Sequence, residues 1–173
     1  MFHHYLSKMY EIPSYIYFII MLTAIVAWAF LDKRYQQKRH WRVINQALFF
    51  LTLAAILTIT ILVRGVQETD VYLNPLHVFD LAKQFPDVYN QMVLNIVLFL
   101  PIGLTLPFAF KFKYTVTITV LFSLVYSLFI EYLQYSLQRG YFDTSDLILN
   151  VFGASIGVLS SVISQKVLKS KSN

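Results

Sequence analysis

Six residues in one short stretch have types and spacing that could do chemistry: Glu131, Gln134, Arg139, Asp143, Asp146 and Asn150. They lie in IEYLQYSLQRGYFDTSDLILN, between two hydrophobic segments. A carboxylate in such a segment is costly in hydrocarbon, so it faces a protein interior or a wet cavity and often marks a functional site. Glu131, Gln134 and Gln138 are spaced i, i+3 and i+7 and share one helix stripe. Arg139 is the expected partner of Glu131, because its guanidinium fork can hold a carboxylate through two hydrogen bonds. Asp143 suits a helix cap and Asp146 a first turn, where the helix dipole favours negative charge. Asn150 follows Asp146 by four residues and shares its face, and Asn95 adds an amide from an upstream segment. Together these residues read as one polar cluster able to bind a polar head group. Two other roles stay open. In an enzyme, Glu131 would move a proton while Arg139 steadied developing charge. In a structural role, the same side chains would satisfy one another inside a helix bundle.

The elements that must position this cluster are membrane helices. Hydrophobic residues make up 57% of the 173-residue chain and charged residues only 13%, against roughly 25% charged in soluble domains. The expected fold class is an all-α integral membrane protein forming one domain over 1–173. Five apolar segments, at 15–31, 43–63, 92–110, 115–137 and 147–168, are each long enough to cross a bilayer. Ala27-Trp28-Ala29 resembles a cleavage site, but Lys8 is offset by Glu11 and five basic residues follow the first segment, so a retained helix is expected. Between the second and third spans, 64–91 holds the Asn74-Pro75 turn signal and an expected short interfacial helix at 78–85. The aromatic stretch 1–11 is also expected to lie in the interface.

Charge sets the orientation. Ten of the 14 Lys and Arg (Lys33, Arg34, Lys38, Arg39, Arg42, Lys111, Lys113, Lys166, Lys169, Lys171) fall on one side of these spans. Positive loops face the cytoplasm. The expected topology therefore has the N-terminus outside and the C-terminus cytoplasmic, with the polar cluster opening outward. Seven acidic residues fall on that outer side and Asp32 alone on the inner.

Other residues read as packing. Gly153 and Gly157 form GxxxG, which lets another helix approach closely and allows a homo-oligomer. Pro101 and Gly103 interrupt the third span, where a freed carbonyl could line a cavity or bond a neighbour, and Pro107 reads as a simple kink. No cysteine is present, and His3, His4, His40 and His77 have no metal-ligand spacing, so interfacial or solvated roles are expected. No phosphate loop or dinucleotide fingerprint occurs, and no cofactor or metal is expected. The basic residues sit in short loops between spans, which argues against nucleic acid and for membrane lipid as a partner.

At these residues the chain resembles the VanZ-like family of bacterial membrane proteins, linked to teicoplanin resistance. Asn95, Phe99, Pro101 and Gly103 match an Asn then Phe-x-Pro-x-Gly run, and Glu131, Gln134, Arg139, Asp143, Asp146, Asn150, Gly153 and Gly157 match the remainder, over about 64–159. The resemblance implies a multi-pass protein of the Gram-positive cytoplasmic membrane that lowers susceptibility to teicoplanin-type lipoglycopeptides. The expected route is non-enzymatic: a lipid-linked cell-wall precursor or the lipoglycopeptide binds at the outer cluster, with no catalytic residue. A membrane enzyme acting on a lipid-linked envelope substrate and a small transporter component are the alternatives.

Overall fold

A computed structural model describes residues 14–35, 39–62, 64–66 and 69–170. The expected interfacial stretch 1–11, with His3 and His4, and the charges at Lys38, Glu68 and Lys171 lie outside the described residues. The chain forms α1 (Ser14–Tyr35), α2 (Arg39–Leu57), β1 (Val71–Tyr72), α3 (His77–Gln84), α4 (Pro86–Ala109), α5 (Thr115–Ser136), β2 (Phe142–Asp143) and α6 (Thr144–Ser170). A π-helical turn, Thr58–Leu62, prolongs α2.

Among the described residues, four helices are long and apolar enough to cross a membrane: His40–Ile61, Pro86–Ala109, Thr115–Ser136 and Thr144–Val167. The segment expected as the first of five spans coincides with α1, a 22-residue helix. The expected short helix at 78–85 forms as α3.

Local chemistry moves several expected boundaries. The segment expected from 92 begins at Pro86, because Phe85 is extended and proline at the first helical position has its φ preset. The last helix begins at Thr144, since the Asp143 carboxylate accepts the Ser145 N–H at 2.8 Å and caps it. Gln138 does not continue the α5 stripe. It adopts φ 55°, in the left-handed region, just past the helix end. The Arg139 N–H then donates to the Gln134 carbonyl at 2.8 Å and the Gln138 N–H to that of Tyr135 at 3.2 Å, a Schellman closure.

At the centre stands α4, whose apolar stretch is 67% buried against 28–39% for the other three spans. Its Phe99, Ile102 and Leu106 pack with Phe49 and Ile56 of α2 and Ile130 of α5. On another side its Leu100 and Leu104 meet Trp28 of α1 and Trp41 of α2. The closest packing is against α6. A Cβ at Gly103 would run into the Ala154 carbonyl, one at Gly153 into that of Ile96, and one at Gly157 into that of Leu100. The packing role expected of Gly153 and Gly157 therefore falls at one seam within the chain, and Gly103, expected to interrupt its helix, packs there with them.

The prolines behave differently from expectation. Helix α4 continues through both Pro101 and Pro107. Pro107 has no N–H to offer the Gly103 carbonyl, and Ser161 Oγ donates there at 3.2 Å and to the Leu104 carbonyl at 3.1 Å. The bridged carbonyl thus belongs to the proline expected to be a simple kink.

The helices alternate in direction, so charge separates between the two ends. Lys33, Arg34, Arg42, Lys111, Lys113 and Lys166 gather at a basic end. There the buried Asp32 carboxylate accepts from Trp41 Nε1 at 3.1 Å and Ser164 Oγ at 3.0 Å, joining α1, α2 and α6. Arg42 and Gln46 donate to the Ala109 carbonyl at 3.3 and 3.1 Å and close the end of α4. Asp70, Asp80, Asp87, Asp143 and Asp146 lie at the opposite end and outnumber Arg64, Lys83 and Arg139 there, so that end is acidic.

Replacing Gly157 by valine is expected to force α4 and α6 apart at a cost of roughly 1–3 kcal/mol. A detergent-unfolding midpoint equal to wild type would show that this seam does not set the helix spacing.

Candidate functional site

The acidic end closes because two loops meet. β1 and β2 pair in parallel, with Val71 opposite Phe142 and Tyr72 opposite Asp143. The Phe142 N–H donates to the Asp70 carbonyl at 2.9 Å, and Thr144 Oγ to the Tyr72 carbonyl at 3.1 Å. Asn74 shapes the approach: its side-chain oxygen accepts the Leu76 N–H at 3.1 Å, and its carbonyl accepts the His77 N–H at 3.2 Å. The segment expected to rest on the membrane surface is thus tied at β1 to the turn between α5 and α6.

The loops and helix ends enclose a cavity of about 240 Å³ whose polar wall includes Arg64, Tyr72, His77, Tyr141, Asp143 and Asp146. Its apolar wall includes Leu81, Val88 and Met92. The Tyr72 ring stacks on His77 at 4.9 Å, and Tyr141 meets Tyr72 edge-on at 5.4 Å. His77 Nδ1 lies 2.6 Å from the Asn74 carbonyl, and its Nε2 lies 3.5 Å from Asp143 Oδ2. The Tyr72 phenol, whose side chain stays exposed, is raised above its ordinary pKa first by partial desolvation and then by Asp70, Tyr141 and Asp143.

The structure divides the expected cluster in two. Asp143 and Asp146 line the cavity, and Asp146 Oδ1 accepts from Asn95 Nδ2 at 2.6 Å. Glu131, Gln134 and Asn150 are buried below. Glu131 Oε2 accepts the Asp143 backbone N–H at 2.9 Å. Gln134 Nε2 donates at 3.2 Å to the Thr60 carbonyl in the π-helical turn, and Asn150 Nδ2 donates to Ser127 Oγ at 2.8 Å.

Arg139 does not pair with Glu131. The left-handed turn at Gln138 carries it away, and its guanidinium donates to the Arg64 backbone carbonyl. Arg64 shares the cavity wall with Asp146. Arg64, Tyr72, His77 and Tyr141 were not among the expected site residues; no spacing in the sequence ties 64–77 to 139–143.

A further row escaped the sequence reading. Thr119, Ser123 and Ser127 precede Glu131 at four-residue intervals on α5, and all four are buried. That spacing is the signal that could have found them. Ser123 Oγ, Gln134 Oε1 and Asn150 Oδ1 are buried without a partner. Among the described residues, no group of three or more His, Asp or Glu side chains converges to hold a metal ion.

A bundle with four membrane-length apolar helices among its described residues and a polar cavity at one end has the architecture of a multi-pass membrane protein. A family model described as VanZ/LLP1 matches residues 15–165, so the chain belongs to the VanZ/LLP1 family. The match takes in α1 and α2, where the sequence reading found no family mark. Neither the curated proteins nor the solved structures yield a match.

Glu131→Ala would leave the Asp143 N–H without its acceptor, at roughly 1–3 kcal/mol. Glu131→Gln keeps an acceptor there. Detergent-unfolding midpoints are expected in the order wild type, Gln, Ala; equal midpoints for Gln and Ala would remove this bond from the account.

Proposed function

We propose that the chain is a five-span protein of the bacterial cytoplasmic membrane that lowers susceptibility to teicoplanin-type lipoglycopeptides by binding rather than catalysis. In this reading α1 supplies the fifth crossing, the N-terminus lies outside and the C-terminus lies in the cytoplasm. The separation of basic from acidic residues between the two ends supports that orientation. Membership of the VanZ/LLP1 family supports the link to the cell envelope.

The observation that carries the proposal is the cavity at the acidic end. Its polar and apolar walls suit an amphipathic ligand lying partly in the bilayer. Asp143 and Asp146 accept hydrogen bonds from ligand hydroxyls or amines, while Tyr72 and Tyr141 offer flat faces to a ring. A lipid-linked cell-wall precursor or the lipoglycopeptide itself has this character. Asn95 holds Asp146 in place, and Glu131 holds the turn that carries Asp143.

Susceptibility of a sensitive Gram-positive host tests the proposal. Wild type is expected to raise the inhibitory concentration of teicoplanin several-fold and leave that of vancomycin unchanged. Asp146→Asn and Tyr72→Ala are expected to lose most of the protection at equal membrane levels. Labelling of Tyr141→Cys in intact cells by a membrane-impermeant maleimide checks both level and orientation. No protection from wild type, or full protection from both cavity variants, would refute the reading.

A further inference from the structure

The basic end carries a second recess, separate from the acidic cavity. There α1 and α6 run side by side and leave an open groove of about 390 Å³. Ile25, Ala29 and Lys33 line it from α1 at every fourth position, and Ser160, Ile163 and Val167 from α6. Its polar wall atoms are turned away. Ser160 Oγ donates to the Ile156 carbonyl at 2.8 Å, and Ser164 Oγ to Asp32 at 3.0 Å. What remains is mostly hydrocarbon, with Ile163 and Val167 more than half exposed.

Lys33 is the one charged residue lining the groove, and it is exposed. Asp32, next to it in sequence, spends its oxygens on Trp41 and Ser164. Among the described residues Lys33 is in no ion pair. Arg34 and Lys166 are exposed at the same end.

We propose that this groove is a binding site for an anionic phospholipid, with one acyl chain between α1 and α6 and the phosphate against Lys33. The α6 wall lies within a membrane-length apolar helix, and in the five-span reading proposed above, on which this inference rests, the medium it meets is hydrocarbon. An unfilled groove would forfeit dispersion contacts along both helices, and an acyl chain restores them. The choice of head group follows from charge: an unpaired ammonium at the mouth, with further cations beside it, complements a phosphate lacking a cationic substituent. The bound lipid would join α1 to α6 above the Asp32–Ser164 hydrogen bond.

Native mass spectrometry of the full chain in mild detergent tests this, using phosphatidylglycerol and phosphatidylcholine with identical acyl chains. Wild type is expected to retain one phosphatidylglycerol with roughly fivefold preference, the attraction of about one basic side chain. Lys33→Gln should abolish most of that preference. Lys113→Gln, which removes a basic residue of the same end that does not line the groove, should leave it unchanged. Ala29→Phe fills the groove and should lose both lipids. Equal retention of the two lipids by wild type, equal losses in the two lysine variants, or undiminished retention in a folded Ala29→Phe chain would overturn the proposal. So would a lipid-free dimer, which would make the groove an interface between copies. If Ala29→Phe fails to fold, the comparison of the two lysine variants still decides.

Discussion

The distance between α4 and α6 is set by backbone meeting backbone. Gly103, Gly153 and Gly157 leave no room for a Cβ, so the two helices touch through main-chain atoms of Ile96, Leu100, Ala154 and Val158. This contact fixes what lies above and below it. Asn95, one residue before Ile96, reaches Asp146 at the acidic end. Toward the middle, Ser161 reaches the Gly103 carbonyl that Pro107 leaves without a donor. A wider spacing would leave polar groups on both helices unpaired in an apolar setting, which is expensive. Close packing through small residues suits helices in lipid, where the hydrophobic effect does little to hold them together.

Above that seam, the acidic end is built from short-range bonds. The Glu131 carboxylate fixes the backbone at Asp143, Asp143 caps α6, and β2 pairs with β1. The loop after α2 is thereby drawn over the turn after α5, and the cavity is the space left between them. Arg64 lies near Glu131 and Asp146, and His77 faces Asp143 and Asp146.

Much of this was legible in the sequence because it depends on period and local chemistry. Apolar runs located the helices, Gly153 and Gly157 marked a close-packing face without naming the helix it meets, and Asp143 read as a cap. Asn95, Asp146 and Glu131 were identified as polar residues needing partners. The partners were harder. Arg139 looked like the mate of Glu131 by proximity in sequence, but one left-handed residue, Gln138, redirects it. A non-glycine in that conformation gives no advance signal. Two-residue strands carry no periodicity to read, so the pairing of 71–72 with 142–143 and the roles of Arg64, Tyr72 and His77 stayed hidden. Asp32 was counted as a charge in a loop, whereas its carboxylate is a buried three-helix link.

The account depends on the loop after α2 folding onto the turn before α6, since without that contact there is no cavity. The chain has no native cysteine, so a designed pair reports on one contact alone. Val71→Cys and Phe142→Cys sit on paired residues of β1 and β2. In native membranes under mild oxidant, the pair is expected to form an intrachain disulfide, read as protection of both thiols from a mass-tagged maleimide. Both thiols remaining free in an inserted, folded chain would contradict the account, because the two loops would then not meet.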